Sequence, residues 1–186
     1  MTDNEVLRNI RTRFSCRRFL DKPVEEEKLR AILEAGKYAP SGHNKQSWHF
    51  TIIRTDEGRQ LLLNAAGNTP TPGFLEMHPD GKWPFQSDFC GAPVVIMISG
   101  STDVPWPDIG PKLAAENIML AAHSLGLATI WTTLYTKDLF RDDKSAMLKP
   151  KLMPAENQLY ATLFLGYPAR SPEARPPRRE NVETWI

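Results

Sequence analysis

The chain has 186 residues, of which 41% are hydrophobic and 24% charged. That is the make-up of one globular domain and excludes disorder along the whole length. Its 23 Lys and Arg nearly balance 22 Asp and Glu, so bulk charge favours neither nucleic acid nor an anionic membrane, and any basic site must be local. Four histidines and two cysteines, Cys16 and Cys90, show neither Cys-x-x-Cys nor His-x-x-x-His spacing, which argues against a zinc centre. No basic segment followed by an apolar run opens the chain, so no signal peptide is expected and a reducing cytoplasm fits.

Val6, Leu7, Ile10 and Phe14 recur at helical spacing behind Asn4, a good N-cap residue, and predict a helix over about residues 4–13. Glu25, Glu26 and Glu27 suit the first turn of a second helix, because the helix dipole favours anions there. Leu29, Ile32 and Leu33 form its apolar stripe, and Gly36 lies near its end. Trp48 to Arg54 reads as a strand, being aromatic and β-branched. Asp56 is placed to cap a short helix holding Leu61, Leu62 and Leu63. Residues 67–91 are rich in Pro and Gly and predict a long loop, either a lid or a connecting arm.

Pro93 to Ile98 predicts a buried strand, and 100–111 a second Pro- and Gly-rich loop. A helix follows from Leu113 to Leu125, with Ala114, Ala115, Ile118, Ala122 and Leu125 on one face. Small residues there allow another helix to approach closely. Gly126 ends it. Leu127–Thr133 predicts a strand, Asp138–Leu148 a helix and Leu159–Leu165 a last strand. The tail carries Pro168, Pro172, Pro176 and Pro177 and should not form a helix of its own before the final residues. No repeat or second domain is visible, so residues 1–186 are read as a single α+β domain, a sheet wrapped by helices. No Gly-x-Gly-x-x-Gly follows a strand, so a Rossmann site is not supported.

Three segments carry candidate chemistry. Arg13 and Arg17 stand four residues apart with Ser15 between them. A guanidinium grips a phosphate through two parallel donors, and the two arginines share a face if the helix persists, or point into one cleft if it ends at Phe14. A solvated basic helix end is the bland alternative. Pro40, Ser41, Asn44 and Gln46 form a polar turn running into Trp48. Amide side chains carry both donors and an acceptor, as the pyrimidine edge of a flavin or a ribityl chain requires; a plain hydrophilic turn before a core tryptophan competes. Trp131, Thr132 and Thr133 end a strand, where ligand contacts are common and backbone N–H groups could donate, although these residues suit strands anyway. Arg175, Arg178 and Arg179 could add phosphate contacts or simply be solvated. Cys16 is either reactive beside arginines or a small buried residue, and His123 reads as a packed residue rather than a base.

Taken together, these segments resemble the nitroreductase family of FMN-dependent oxidoreductases over nearly the whole chain. Ile10-Arg11-Thr12-Arg13-Phe14-Ser15-Cys16-Arg17-Arg18-Phe19 is similar to the family's I-x-x-R-R-S-x-R-x-F opening. Ala39-Pro40-Ser41-Gly42-His43-Asn44-Lys45-Gln46-Ser47-Trp48-His49-Phe50 is similar to A-P-S-x-x-N-x-Q-P-W-x-F. Ala115–Ala122 with Leu125-Gly126-Leu127 resembles the central helix and its exit, and Leu165-Gly166-Tyr167-Pro168 the end of the last strand. Phe14 replaces the second arginine of the opening, Ser47 replaces a proline, and Thr132-Thr133-Leu134-Tyr135 stands where glycines are frequent.

The resemblance implies a nitroreductase-like fold, with a central mixed β-sheet wrapped by helices, and a homodimer with FMN sites in the subunit interface. It implies that Arg13, Ser15 and Arg17 contact the phosphate, ribityl chain or pyrimidine edge, with Pro40, Ser41 and Asn44 supplied by the other subunit. Trp131, Thr132 and Thr133 would lie along the ring and Arg178 would reach the phosphate. The 166–186 tail would pack on the partner. The implied chemistry is ping-pong transfer of hydride from NADH or NADPH through flavin N5 to a nitroaromatic or quinone, with no general acid or base from the protein. Dehalogenation or alkene reduction on the same flavin, and flavin binding without turnover, are the rival readings.

Overall fold

The computed structural model describes residues 3–66, 89–132, 136, 139–140, 142–170, 176–180 and 182–186. Helix α1 spans Glu5–Thr12, with Asn4 Oδ1 accepting the Leu7 N–H at 2.9 Å. Its apolar residues Val6, Leu7 and Ile10 are exposed. Helix α2 spans Glu26–Lys37 and buries Leu29, Ile32 and Gly36. Gly36 thus lies inside the helix as a packing position: a Cβ there would stand 2.9 Å from Ile118 Cγ1.

Strand β1 is Trp48–Ile53 and helix α3 Asp56–Ala66. Thr55 is the residue that closes the start of α3, its Oγ1 accepting the Gly58 N–H at 3.1 Å. The predicted 67–91 loop falls outside the described residues except for Phe89–Gly91, a short 3₁₀ turn.

Strand β2 is Val94–Ser101. Helix α4, Ile109–Ser124, begins before the predicted Leu113. Gly110 and Pro111 sit in its first turn, where the N–H that proline lacks has no partner inside the helix. Gly126, at φ +77°, terminates it as expected, and the Leu127 N–H donates back to Ala122 O at 2.9 Å.

Strand β3 is Ala128–Trp131; the predicted end at Thr133 lies outside the described residues. In place of one helix over Asp138–Leu148, the described part shows two short ones, α5 Asp143–Ala146 and α6 Lys149–Leu152. Pro150 in the first turn of α6 prevents a continuous run. Strand β4 is Asn157–Gly166, and the described residues of the tail form neither helix nor strand.

The sheet order is β1-β2-β4-β3. All three strand pairings are antiparallel, with a register shift between Ile98 and Ser99. The named sheet is thus antiparallel rather than mixed, and among the described residues the parallel pairing is one isolated bridge, Ser15 to Thr129, on the outer edge of β3.

Side chains alternate across the sheet and build two cores. On one face, Val94, Ile96, Ile98, Ala161, Leu163 and Leu165 meet α2 and α4. On the other, Val95, Met97, Leu159 and Phe164 meet α3, α6 and the Cys16–Phe19 segment. The small residues Ala114, Ala115, Ile118 and Ala122 of α4 are wholly buried, so that predicted stripe faces the chain's own core. No helix among the described residues is long and apolar enough to cross a membrane.

Candidate functional site

Helix α1 stops at Thr12, and Arg13 already has extended backbone, with φ −58° and ψ 140°. The chain then runs along the outer edge of β3, with the Cys16 N–H donating to Thr129 O at 2.9 Å. Alternation in this extended run buries Cys16 while Ser15 and Arg17 are exposed. Arg13, Ser15 and Arg17 therefore lie beyond the helix, and helical spacing does not relate them.

Arg13 is partly covered, and its Nε lies 3.7 Å from Glu116 Oε1 of α4. No ion pair among the described residues engages Arg17. Such an edge offers guanidinium donors and a hydroxyl to an anion. Phe14, at the position of the absent second arginine, turns inward to meet His123 edge-on at 6.2 Å. His123 is a packed residue whose Nε2 is 2.9 Å from Thr12 Oγ1. Burial pushes the Cys16 thiol up from its ordinary 9.0, and Sγ–H donates to Arg18 O at 3.0 Å. The thiol is thus a structural group rather than a reactive thiolate.

The polar turn lies elsewhere. Asn117 Nδ2 of α4 donates to Ala35 O at 3.1 Å, fixing the end of α2 from which the turn departs. Ser41 Oγ accepts the Gln46 N–H at 3.0 Å, and Gln46 Nε2 donates to Asn44 Oδ1 at 3.1 Å. The turn is closed by its own side chains, and no hydrogen bond among the described residues engages the Asn44 side-chain N–H groups. His43, Asn44 and Gln46 hold φ of +50°, +54° and +47°, conformations that cost non-glycine residues about 1 kcal/mol or more each and cluster at functional sites. Trp48 packs against the start of α4, where a Cβ on Gly110 would meet its ring at 3.5 Å and Ser41 Cβ at 3.3 Å.

One chain does not bring the two constellations together. The turn leads into β1 at one edge of the sheet, and Arg13–Arg17 borders β3 at the other. Three strand spacings separate those edges, about 14 Å. Along α4, the turn meets Gly110 while Arg13 reaches Glu116, about 9 Å further on at helical rise.

Trp131 and Thr132 are half-buried at the β3 end. The Thr132 N–H is spent on Thr162 O at 2.9 Å, so it cannot be the ligand donor expected of it. Thr133 lies outside the described residues, as does Arg175. Arg178 is exposed, and no bond among the described residues ties it to Arg13 or Arg17.

Beyond the β3 end lies a cavity of about 1210 Å³, bordered by Asp108, Lys112, Thr136, Gln158 and Tyr160. The Tyr160 hydroxyl is buried with no hydrogen-bond partner among the described residues, and burial, with Asp108 nearby, raises its pKa above the ordinary 10.0. Glu116, Tyr160 and Trp106 were not singled out by sequence; only Trp106, an aromatic inside a Pro-rich loop, carried a signal that could have drawn notice.

The sequence profile of the Nitroreductase family matches residues 10–167. The chain belongs to the Nitroreductase family. A Methanothermobacter thermautotrophicus relative, whose name suggests an NADH dehydrogenase or NAD(P)H nitroreductase, is 32% identical over 97% of this chain and 88% of its own. A Bacteroides fragilis nitroreductase crystallised with bound FMN superposes with a TM-score of 0.84 at 27% identity, covering 99% of this chain and 100% of the other. A Desulfitobacterium hafniense nitroreductase, also with bound FMN, gives 0.81 at 26% identity over the full length of both chains. The fold is therefore that of the family, and the quoted opening and turn motifs fall within the matched region, as does the strand-end motif up to Tyr167.

Proposed function

We propose that the protein is an FMN-dependent NAD(P)H oxidoreductase, active as a homodimer, that reduces a small electrophilic acceptor such as a nitroaromatic or a quinone. The carrying observation is the split of the two constellations to opposite sheet edges of one chain. A two-fold axis would set the turn of one subunit beside the Arg13–Arg17 edge of its partner, making two equivalent interfacial sites.

The residues present fit FMN. Arg13, Ser15 and Arg17 would hold its phosphate and the adjoining chain by charge-assisted bonds. Pro40, Ser41, Asn44 and Gln46 of the other subunit would meet the polar edge of the ring, the amides matching its alternation of donors and acceptors. Trp131, Thr132 and Thr133 would lie along the ring, and Arg178 would reach the phosphate once the tail crosses the partner. Exposure of Val182, Trp185 and Ile186 in that tail supports its docking on a second copy.

When bound, FMN would supply two-electron redox chemistry between NADH or NADPH and the acceptor, in a ping-pong cycle through flavin N5. The chain's part is to bind, to orient and to keep cationic and N–H donors near the ring as it gains charge.

Subunit complementation tests this reading. Chains carrying Arg13→Ala with Arg17→Ala, and chains carrying Ser41→Ala with Asn44→Gly, should each retain little FMN. Randomly reassembled mixtures should regain about a quarter of the sites, because half the dimers are mixed and each has one intact site. Verified mixed dimers with no regained flavin, or a stable monomer, would overturn it.

A further inference from the structure

We propose that Trp106 is a wall of the substrate subsite, stacking on the electron-poor planar ring that exchanges electrons with the flavin; the proposal rests on the interfacial FMN reading above. Trp106 sits in the loop between β2 and α4 and is 63% exposed. Its backbone is held at φ +52°, and its carbonyl accepts the Ile109 N–H at 3.2 Å, anchoring it to the first turn of α4. An exposed indole on a strained backbone serves neither the core nor solubility.

The indole belongs to the polar turn. It stacks on His43 with ring centroids 6.3 Å apart and planes 23° from parallel. A Cβ on Gly42 would lie 3.3 Å from Trp106 Cε3 and 3.3 Å from Pro105 O, so turn and loop pack closely and a side chain there would press on the loop. Turn and loop thus form one unit, and wherever Ser41 and Asn44 meet the partner's flavin, the Trp106 ring arrives beside them. Indole is electron-rich, and offset stacking on an electron-poor ring is favourable. The oxidised nicotinamide and nitroaromatic rings share that chemistry, whereas the dihydronicotinamide that donates hydride is electron-rich, so the wall would favour the acceptor and the spent nucleotide ring.

The test titrates nitrobenzene and, separately, nicotinamide into oxidised FMN-loaded protein without reductant, reading the perturbation of the flavin visible spectrum. Trp106→Ala should weaken binding on the order of tenfold while Trp106→Phe keeps most of it. Flavin content and dimer mass should not change in either variant. If one probe alone responds, the wall serves that ring, and the assignment stands for it. Unchanged affinity for both probes overturns the proposal. So does loss of dimer or flavin in Trp106→Ala, which would make the indole a subunit contact. Failure of the unsubstituted protein to hold FMN would instead sink the function reading itself, before any Trp106 comparison.

Discussion

Glu116 of α4 holds its carboxylate 3.7 Å from the guanidinium of Arg13. On the proposed reading, that is the charge a bound phosphate would claim. Pairs this exposed contribute about 0–1 kcal/mol, so Glu116 acts as an exchangeable counterion. Glu116→Gln should tighten FMN binding about two- to fivefold, measured by flavin fluorescence on titration of the apoprotein. Weaker binding would mean that the carboxylate aims the guanidinium instead of competing for it.

Tyr167 gives a pH signature remote from the site. Its hydroxyl donates to Glu25 at 2.7 Å and accepts from Lys28 Nζ at 2.9 Å. The hydrogen bond from Tyr167 holds Glu25 below its ordinary 4.5, and the one to Tyr167 holds Lys28 above its ordinary 10.5. A lowered carboxyl pKa stabilises the fold at pH above the unfolded value, and that gain is lost as pH falls through the folded one. A raised ammonium pKa stabilises below its unfolded value and fades as pH rises through the folded one. The stability gap between wild type and Tyr167→Phe should therefore be widest between the two ordinary values and shrink on acidification. Urea unfolding from about pH 3 to 7 checks it; a gap independent of pH would refute the linkage.

Glycine at two packed positions yields a third expectation. A Cβ at Gly166 would lie 2.5 Å from Pro93 Cδ and 3.2 Å from Phe19 Cδ1, and a proline ring cannot turn away. Gly166→Ala should cost about 3 kcal/mol by overpacking. Gly36→Ala would gain about 1 kcal/mol in an open helix, yet here it meets Ile118 and Phe50 at 2.9 and 3.1 Å and should be a net loss. Thermal unfolding of both variants is the measurement, and a stabilised Gly36→Ala would show that α2 and α4 can part without strain.

The helices and strands were legible where period and punctuation agreed. Asn4 capped α1 as its side chain suggested, Gly126 closed α4, and Val94 to Ile98 is wholly buried. Boundaries failed where one residue type served two purposes. Pro111 looked like loop but sits in a helical first turn, and Gly36 looked like a terminus but is a contact. The site was legible in its residue types and not in its geometry. Arg13 and Arg17 could share a helical face or follow a helix that ended at Phe14, and the helix ends at Thr12, which removes the first of these. Nor could spacing reveal that the Thr132 N–H is consumed by Thr162, because that depends on strand register. Glu116 and Trp106 gain meaning only from neighbours distant in the chain.

The turn from Ser41 to Gln46 has an evolutionary corollary. Glycine at 43, 44 or 46 would relax the backbone at no steric cost, so a lineage selected for robustness alone would drift toward it. On the proposed reading, a chain that keeps an imidazole and two carboxamides there trades thermal endurance for chemistry at its surface, and relaxing those positions would strip away the groups the turn would offer a ligand.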